Sequence, residues 1–312
     1  MKIFYNPSIS TNYKRSAIVI GNFDGLHKGH QELFKKTKKI SLKNKIKFGV
    51  LTFTPLPVMF FNKSIKNFRL TSENEKIKLI KKYGADFLIN IKFDKKFSKK
   101  KAEIFIKNII YKKINPKFLS VSNNFKFGRN RKGNVKLLSR FRNKYNYQLL
   151  NIKPYRHKKI VVSSTRIRKS LQSGKIDIAN KLLSRSWFVD GFVKRGKKLG
   201  RKLGFRTCNI NIKDYILPKF GIYAVKVFIG SSKKIYNGIA YLGSRPTFKG
   251  KKVFLEVNLF KIQKNLYQKK LKVHFIKFVR KDHKFKNSAQ LVRQMNKDVI
   301  LAKKGLKAKI VI

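Results

Sequence analysis

Residues 16–30, Ser-Ala-Ile-Val-Ile-Gly-Asn-Phe-Asp-Gly-Leu-His-Lys-Gly-His, join an apolar run to a tight glycine-bounded turn and then to two histidines flanking a glycine. Ala17 to Ile20 reads as a buried strand. Gly21 and Gly25 let the backbone reverse sharply, and Gly29 lets a phosphate approach the start of the helix that follows. The first amides of that helix and the positive end of its dipole point to the same spot. A lone His-x-Gly-His group also arises by chance among surface histidines. The strand and glycine turn before it give this one the outline of a nucleotide-phosphate site.

Outward from that stretch, the first half alternates strand and helix. Strand-like runs recur at Ala17 to Gly21, Phe48 to Phe53, Phe87 to Ile91, Phe118 to Val121 and Gln148 to Ile152, with helical patterns in most of the gaps. Ser72 and Glu75 form a capping box before Ile77, Ile80 and Tyr83, and Gly84 is placed to end that helix. The alternation predicts an open, mainly parallel sheet with helices on both faces, and ligands of such sheets sit at the carboxyl ends of the strands. After about residue 185 the pattern changes. Gly221 to Phe228, Ile235 to Leu242, Phe254 to Phe260 and Leu271 to Phe278 look extended without intervening helices, as in a small β-barrel. Ser288 to Lys304 reads as a closing amphipathic helix with Leu291, Val292, Met295 and Val299 on one face.

The 312 residues suffice for two domains, each with its own core. No apolar stretch approaches the ~18 residues of a membrane span, and the start lacks the apolar region of a secretory signal. A single cysteine, Cys208, excludes an internal disulfide and a cysteine-rich metal site. These features point to the cytoplasm. Lys and Arg number 78 against 13 Asp and Glu, a net charge of +65, which ordinarily signals nucleic acid or an acidic membrane. Here the excess comes with abundant Ile, Asn and Phe, few Pro, and a preference for Lys, all residues with A- and T-rich codons. A biased genome accounts for them together, whereas selection for nucleic-acid binding would not enrich Phe and Ile. The basic residues are also spread along the chain, so no specific nucleic acid and no membrane is expected as a partner, and no oligomeric state is singled out.

Other groups add chemistry. Ser163-Ser164-Thr165-Arg166-Ile167-Arg168 supplies hydroxyls that can cap a helix or bind phosphate oxygens, and arginines that grip polyphosphate. Gly191, Gly196, Gly200 and Gly204 punctuate a basic segment running into Phe205-Arg206-Thr207-Cys208-Asn209. That pattern suits either a phosphate-wrapping loop or a glycine-rich hairpin, and the Thr and Asn oxygens suit Mg²⁺. Glu256, one of few acids, sits within a strand as a candidate general base or an ordinary solvent-facing residue.

Taken in order, GNFDGLHKGH, TFTPLPVMFF, RLTSENEK, FKFGRNRKG, SSTRIR, GRKLGFRTCN, LPKFGIYAV, LGSRPTF and LEVNLF, with Arg280, Lys284 and Phe285 near the end, make the chain resemble the bifunctional bacterial riboflavin kinase/FAD synthetases over nearly its whole length. The resemblance implies a Rossmann-like α/β nucleotidyltransferase domain, residues 1–184, followed by a small antiparallel β-barrel kinase domain with a C-terminal helix, residues 185–312. It implies riboflavin, FMN and ATP as substrates, FAD as product, and Mg²⁺ as cofactor. By position, His27 and His30 would contact ATP phosphates, with Ser164, Thr165 and Arg168 completing that site, and Asn124 and Phe125 would hold the flavin. In the second half Gly196, Thr207 and Asn209 would bind ATP, Thr207 and Asn209 also the metal. Glu256 would take the proton from the ribityl 5′-hydroxyl, and Arg280 would lie beside the flavin. The chain departs from the family pattern at Thr54, Leu56, Ser122, Asn124, Arg206, Cys208, Asn258 and Lys261. Rival readings are a chain with only one of the two activities, a basic nucleic-acid-binding protein, and an aminoacyl-tRNA synthetase fragment. The last leaves GRKLGFRTCN and LEVNLF without an account.

Overall fold

The computed structural model describes residues 1–195, 204–247, 250–262 and 265–307. The chain folds into two compact units. One comprises Met1–Lys66 and Glu73–Ser163, the other Asn67–Ser72 together with the chain from Ser164 onward.

The first unit is built on six parallel strands: β1 (Lys2–Phe4), β2 (Ala17–Ile20), β3 (Phe48–Thr54), β5 (Phe87–Lys92), β6 (Phe118–Ser122) and β7 (Gln148–Ile152), in the order β1-β5-β3-β2-β6-β7. From β2 the chain steps to β3 and β5 on one side, then returns to lay β6 and β7 on the other. The order therefore reverses at β2, and the carboxyl ends of β2 and β6 flank the crevice where such sheets take ligands. All of β2 is buried, as a strand covered on both faces must be. Its residues serve opposite cores in turn. Ile18 and Ile20 join the cluster containing Leu51, Phe53, Phe105 and Ile106, while Val19 joins the one containing Phe34, Phe48, Leu79 and Ile80.

The covering helices are α1 (Lys28–Lys43), α2 (Pro57–Phe61), α3 (Glu73–Lys82), α4 (Lys95–Ser98), α5 (Ala102–Ile104) running into a π-helical stretch Phe105–Ile114, and α6 (Val135–Phe141). As expected, α3 begins directly after Ser72, and Gly84 follows it in the left-handed region at φ 83°. A two-stranded hairpin, β8 (Arg156–His157) with β9 (Ile160–Val161), precedes the end of this unit.

In the second unit α7 (Ser164–Gln172) and α8 (Ile176–Leu183) lead into a closed antiparallel barrel. Its strands are β10 (Phe188–Lys194), β11 (Cys208–Ile210), β13 (Gly221–Ile229), β14 (Tyr236–Thr247), β15 (Gly250–Leu259) and β16 (Lys270–Lys281), ordered β10-β11-β15-β14-β13-β16. Alternate residues are buried along its strands: Leu255, Val257 and Leu259 on β15, Val225 and Val227 on β13, and Val273 and Phe275 on β16. A short strand β12 (Asp214–Tyr215) pairs in parallel with β4 (Asn67–Arg69), which arrives from the segment between α2 and α3.

The closing helix α9 (Ser288–Leu306) starts where expected, capped by the Asn287 side chain accepting the Gln290 amide at 2.9 Å. The expected face is the covered one: Leu291, Val292, Met295 and Val299 are half-buried on the same side as the buried Asp298, Ala302 and Leu306, while Arg293, Asn296, Lys297 and Ile300 are exposed. That face also carries an ion pair. Arg280 on β16 forks onto Asp298, with Nε donating to Oδ1 at 2.8 Å and a terminal nitrogen to Oδ2 at 2.7 Å, and Gln294 donates to the same carboxylate at 2.8 Å. The acid at Asp298 is the one buried member of the packed face that hydropathy does not select.

Candidate functional site

In the first unit the turn after β2 is tightly wound. The Gly21 amide donates to the Leu51 carbonyl at 3.1 Å, and a Cβ at Gly21 would lie 2.8 Å from the Phe23 ring. Phe23 and Leu26 adopt positive φ, as does Gly25 at 83°. His27 then caps α1, whose first-turn amides lack intrahelical partners. The His27 and His30 rings stack with centroids 3.7 Å apart, and His30 meets the edge of Phe23 at 5.2 Å. Gly29 leaves room for this stack: a Cβ there would press on it, sitting 3.1 Å from the His27 ring and 3.4 Å from the Val162 carbonyl. Burial first, and the His27 charge second, hold the His30 pKa well below its ordinary value. The ring is therefore neutral at neutral pH, and its enclosed Nδ1 has no hydrogen-bond partner among the described residues. A stacked imidazole pair at a helix N-terminus, with His30 neutral, is a hydrogen-bonding site for phosphate oxygens.

Asn124 and Phe125 follow β6. Ser122 Oγ donates to Asn124 Oδ1 at 2.9 Å, and the Phe125 amide to the Ser122 carbonyl at 2.9 Å. Phe125 stacks on Phe127, and ring contacts continue through Phe105 and Phe97 to Phe53, Phe93 and Phe60. This aromatic series at the carboxyl ends of β3 and β5 escaped the sequence reading, which assigned the phenylalanines to codon bias. Their recurrence just after strand ends was the available signal.

A polar group beside it was also missed. Thr54, one of the departures, donates its hydroxyl to Glu73 Oε1 at 2.7 Å. Asn90 Nδ2 reaches the same oxygen at 3.2 Å, and Lys76 Nζ at 3.0 Å.

Ser164 and Thr165 open α7 in the second unit. Arg168, one turn on, donates from Nε to the Phe68 carbonyl at 2.9 Å and lays its guanidinium 3.7 Å from the Phe68 ring centroid. On the barrel, Asn209 of β11 lies in register with Glu256 of β15, and Thr207 Oγ1 donates to Glu256 Oε2 at 3.4 Å. Since Leu255 and Val257 face the core, Glu256 and Asn209 belong to the opposite, outer face. Cys208 between the polar pair has its thiol pushed up to about 11 by burial and is unreactive. Two departures meet here: Asn258 Nδ2 donates to the Arg206 carbonyl at 2.8 Å, tying the approach to Thr207 onto β15. Arg280 is held by Asp298, with its guanidinium 5.6 Å from the Phe285 ring. Gly196 and Gly200 lie outside the described residues, and Gly204 has φ 81°.

Among the described residues there is no group of three or more His, Cys, Asp or Glu that would hold a metal. The oxygens of Thr207, Asn209 and Glu256 are nevertheless the hard donors that a magnesium nucleotide prefers. No described helix is long and apolar enough to cross a membrane.

Comparison with known proteins gives two family matches along the chain. A family model described as FAD synthetase matches residues 9–166, and one described as riboflavin kinase matches residues 183–306. Curated proteins named bifunctional riboflavin kinase/FMN adenylyltransferase match over nearly full length. One from Buchnera aphidicola of Schizaphis graminum is 41% identical over 93% of each chain. One from Escherichia coli is 31% identical over 92% of this chain and 91% of its own. One from Bacillus subtilis is 32% identical over 93% and 92%. A solved structure described as a macrolide-efflux protein from Streptococcus pneumoniae superposes with a TM-score of 0.84 at 28% identity, covering 96% of this chain and 98% of that one.

Proposed function

Since the chain belongs to the family of bifunctional riboflavin kinase/FMN adenylyltransferases, we propose that residues 1–184 carry the adenylyltransferase and residues 185–312 the kinase. The chain phosphorylates riboflavin to FMN with one ATP and adenylylates FMN to FAD with a second, releasing pyrophosphate. The observation that carries the division is that each compact unit has its own polar centre, the His27–His30 stack in one and the Thr207–Asn209–Glu256 group in the other. The functional division at residue 185 lies C-terminal to the change of compact unit at Ser164.

In the kinase, Glu256 accepts the proton of the ribityl 5′-hydroxyl as its oxygen attacks the γ-phosphorus, and ADP departs. Thr207 and Asn209 hold the nucleotide with the segment around Gly196, and they would hold Mg²⁺, which supplies charge neutralisation along the phosphates. Arg280, fixed by Asp298, lies beside the flavin. In the adenylyltransferase, an FMN phosphate oxygen attacks the α-phosphorus of ATP and pyrophosphate leaves. His27 and His30, with Ser164, Thr165 and Arg168, donate to the phosphate oxygens as charge develops. Asn124 and Phe125 hold the flavin, the ring offering a flat apolar surface. No covalent enzyme intermediate enters either step. With one cysteine and small-molecule substrates, the enzyme is assigned to the cytoplasm with no specific nucleic-acid partner.

The test supplies Mg·ATP with riboflavin in one reaction and with FMN in another, resolving products by chromatography. FMN, then FAD, is expected in the first and FAD in the second. Formation of neither overturns the reading.

A further inference from the structure

One row of paired residues crosses five strands of the barrel. Asn209 of β11 lies opposite Glu256 of β15, Glu256 opposite Tyr241 of β14, Tyr241 opposite Ile222 of β13, and Ile222 opposite Arg280 of β16. Directly paired residues point to the same face of a sheet. Here it is the outer face, because Leu255 and Val257 on either side of Glu256, and Ala240 and Leu242 on either side of Tyr241, are buried inside. Three strand spacings, ~14 Å along the sheet, separate Glu256 from Arg280. A ribityl chain joined to a three-ring flavin is of comparable length. Riboflavin with its 5′-hydroxyl at Glu256 and its rings towards Arg280 therefore runs past Tyr241.

Tyr241 is held from three sides. Phe254, two residues before Glu256 and on the same face, meets its ring edge to face at 5.5 Å. Gly243 leaves the space that its hydroxyl fills, since a Cβ there would collide with the hydroxyl oxygen. That hydroxyl donates to Asp282 Oδ2 at 2.8 Å. Asp282 directly follows β16 and opens the segment that leads to α9. The His283 amide donates to Asp282 Oδ1 at 2.9 Å, and the His283 and Phe285 rings meet at 4.5 Å. Arg280, gripped by Asp298 of α9, donates to the Lys281 carbonyl at 2.9 Å and faces the Phe285 ring at 5.6 Å. Segment 282–285 is thus tied to α9 through Arg280 and to the face bearing Glu256 through Tyr241.

We propose that Tyr241 is a positioning residue for riboflavin in the kinase, a reading that rests on the kinase assignment above. By holding Asp282, it keeps segment 282–285 against the outer face of β14, in the row between the base at Glu256 and Arg280, and the flavin seats between them. Loss of the hydroxyl frees the segment and leaves Thr207 and Asn209 in place. The contact serves bound riboflavin equally before and during phosphoryl transfer, so its loss raises KM and spares kcat.

The experiment uses the full chain with riboflavin and Mg·ATP, comparing Tyr241→Phe, Asp282→Ala, Asp282→Asn and the double variant Tyr241→Phe/Asp282→Ala. Asp282 is exposed, so its variants test the contact without disturbing the barrel. Tyr241→Phe and Asp282→Ala should each raise KM for riboflavin about threefold to about tenfold, with kcat, KM for ATP, FMN adenylylation and the melting temperature nearly unchanged. Asp282→Asn keeps an oxygen for the hydroxyl and should stay near the wild type. The double variant should be no worse than either single one, because both break one hydrogen bond. An unchanged riboflavin KM in Tyr241→Phe, additive losses in the double variant, or an equal rise in KM for ATP would each overturn the proposal. Wild-type protein that converts FMN to FAD but leaves riboflavin unphosphorylated would instead overturn the kinase reading.

Discussion

His274 is buried on β16 with Ser186 Oγ 2.6 Å from its Nδ1 and the Phe188 ring stacked against it at 4.7 Å. Burial, then the nearby charges of Lys272 and Arg185, bring its pKa from 6.5 down to about 3. An unfolded chain binds this proton near pH 6.5 while the native state refuses it until about pH 3. The stability contributed by neutral His274 is therefore complete above pH 6.5 and is lost as pH falls towards 3, at about 1.4 kcal/mol per unit. Denaturant titrations from pH 7 to pH 4 should show this slope in the wild type and a flatter one in His274→Gln. Identical slopes would refute it. Which single residues were legible in the sequence follows from how local their signals are. The His27–Gly29–His30 spacing and the strand position of Glu256 depend on neighbours in the chain, so both were found. The partners of Arg168, Arg280, Thr54 and Asn258 lie between 18 and 100 residues away, and no local pattern names them.

Among the elements, strands announced themselves through two different patterns. In the first unit β2 and β3 are near-continuous apolar runs because both faces of the sheet are covered, whereas β15 alternates because only one face of the barrel strand is buried. Helix α9 had a legible start and face, but hydropathy does not anticipate that Asp298 is carried inward on that face to meet Arg280. Strand β4 was invisible for a similar reason: it is three residues long, and its Asn67 side chain finds a partner carbonyl 145 residues later. Removing one partner of a buried ion pair leaves the other uncompensated, so Asp298→Ala should cost about 3–5 kcal/mol of stability in urea unfolding. A loss below ~1 kcal/mol would mean that the pair is no more than a surface contact.

Across the whole molecule, the charge of +65 acts as self-repulsion. The melting temperature should rise as ionic strength increases and the Debye length shortens to ~8 Å. Nucleotide or FMN at 100 times its dissociation constant should add about 2.7 kcal/mol through binding to the native state. Short DNA or RNA should bind without sequence preference and with affinity that collapses in salt. Tight, sequence-selective binding at physiological salt would revive the nucleic-acid reading of the composition.

Complementation between His30→Ala and Glu256→Gln tests most directly whether one chain holds two independent centres, each variant being supplied with riboflavin and Mg·ATP while FMN and FAD are followed separately. His30→Ala should accumulate FMN with little FAD. Glu256→Gln should make FMN ~10²- to 10⁴-fold more slowly while still converting added FMN to FAD. Mixed together, the two proteins should restore riboflavin-to-FAD conversion. Loss of both activities in either folded variant, or a mixture that makes no FAD from riboflavin, would contradict the account.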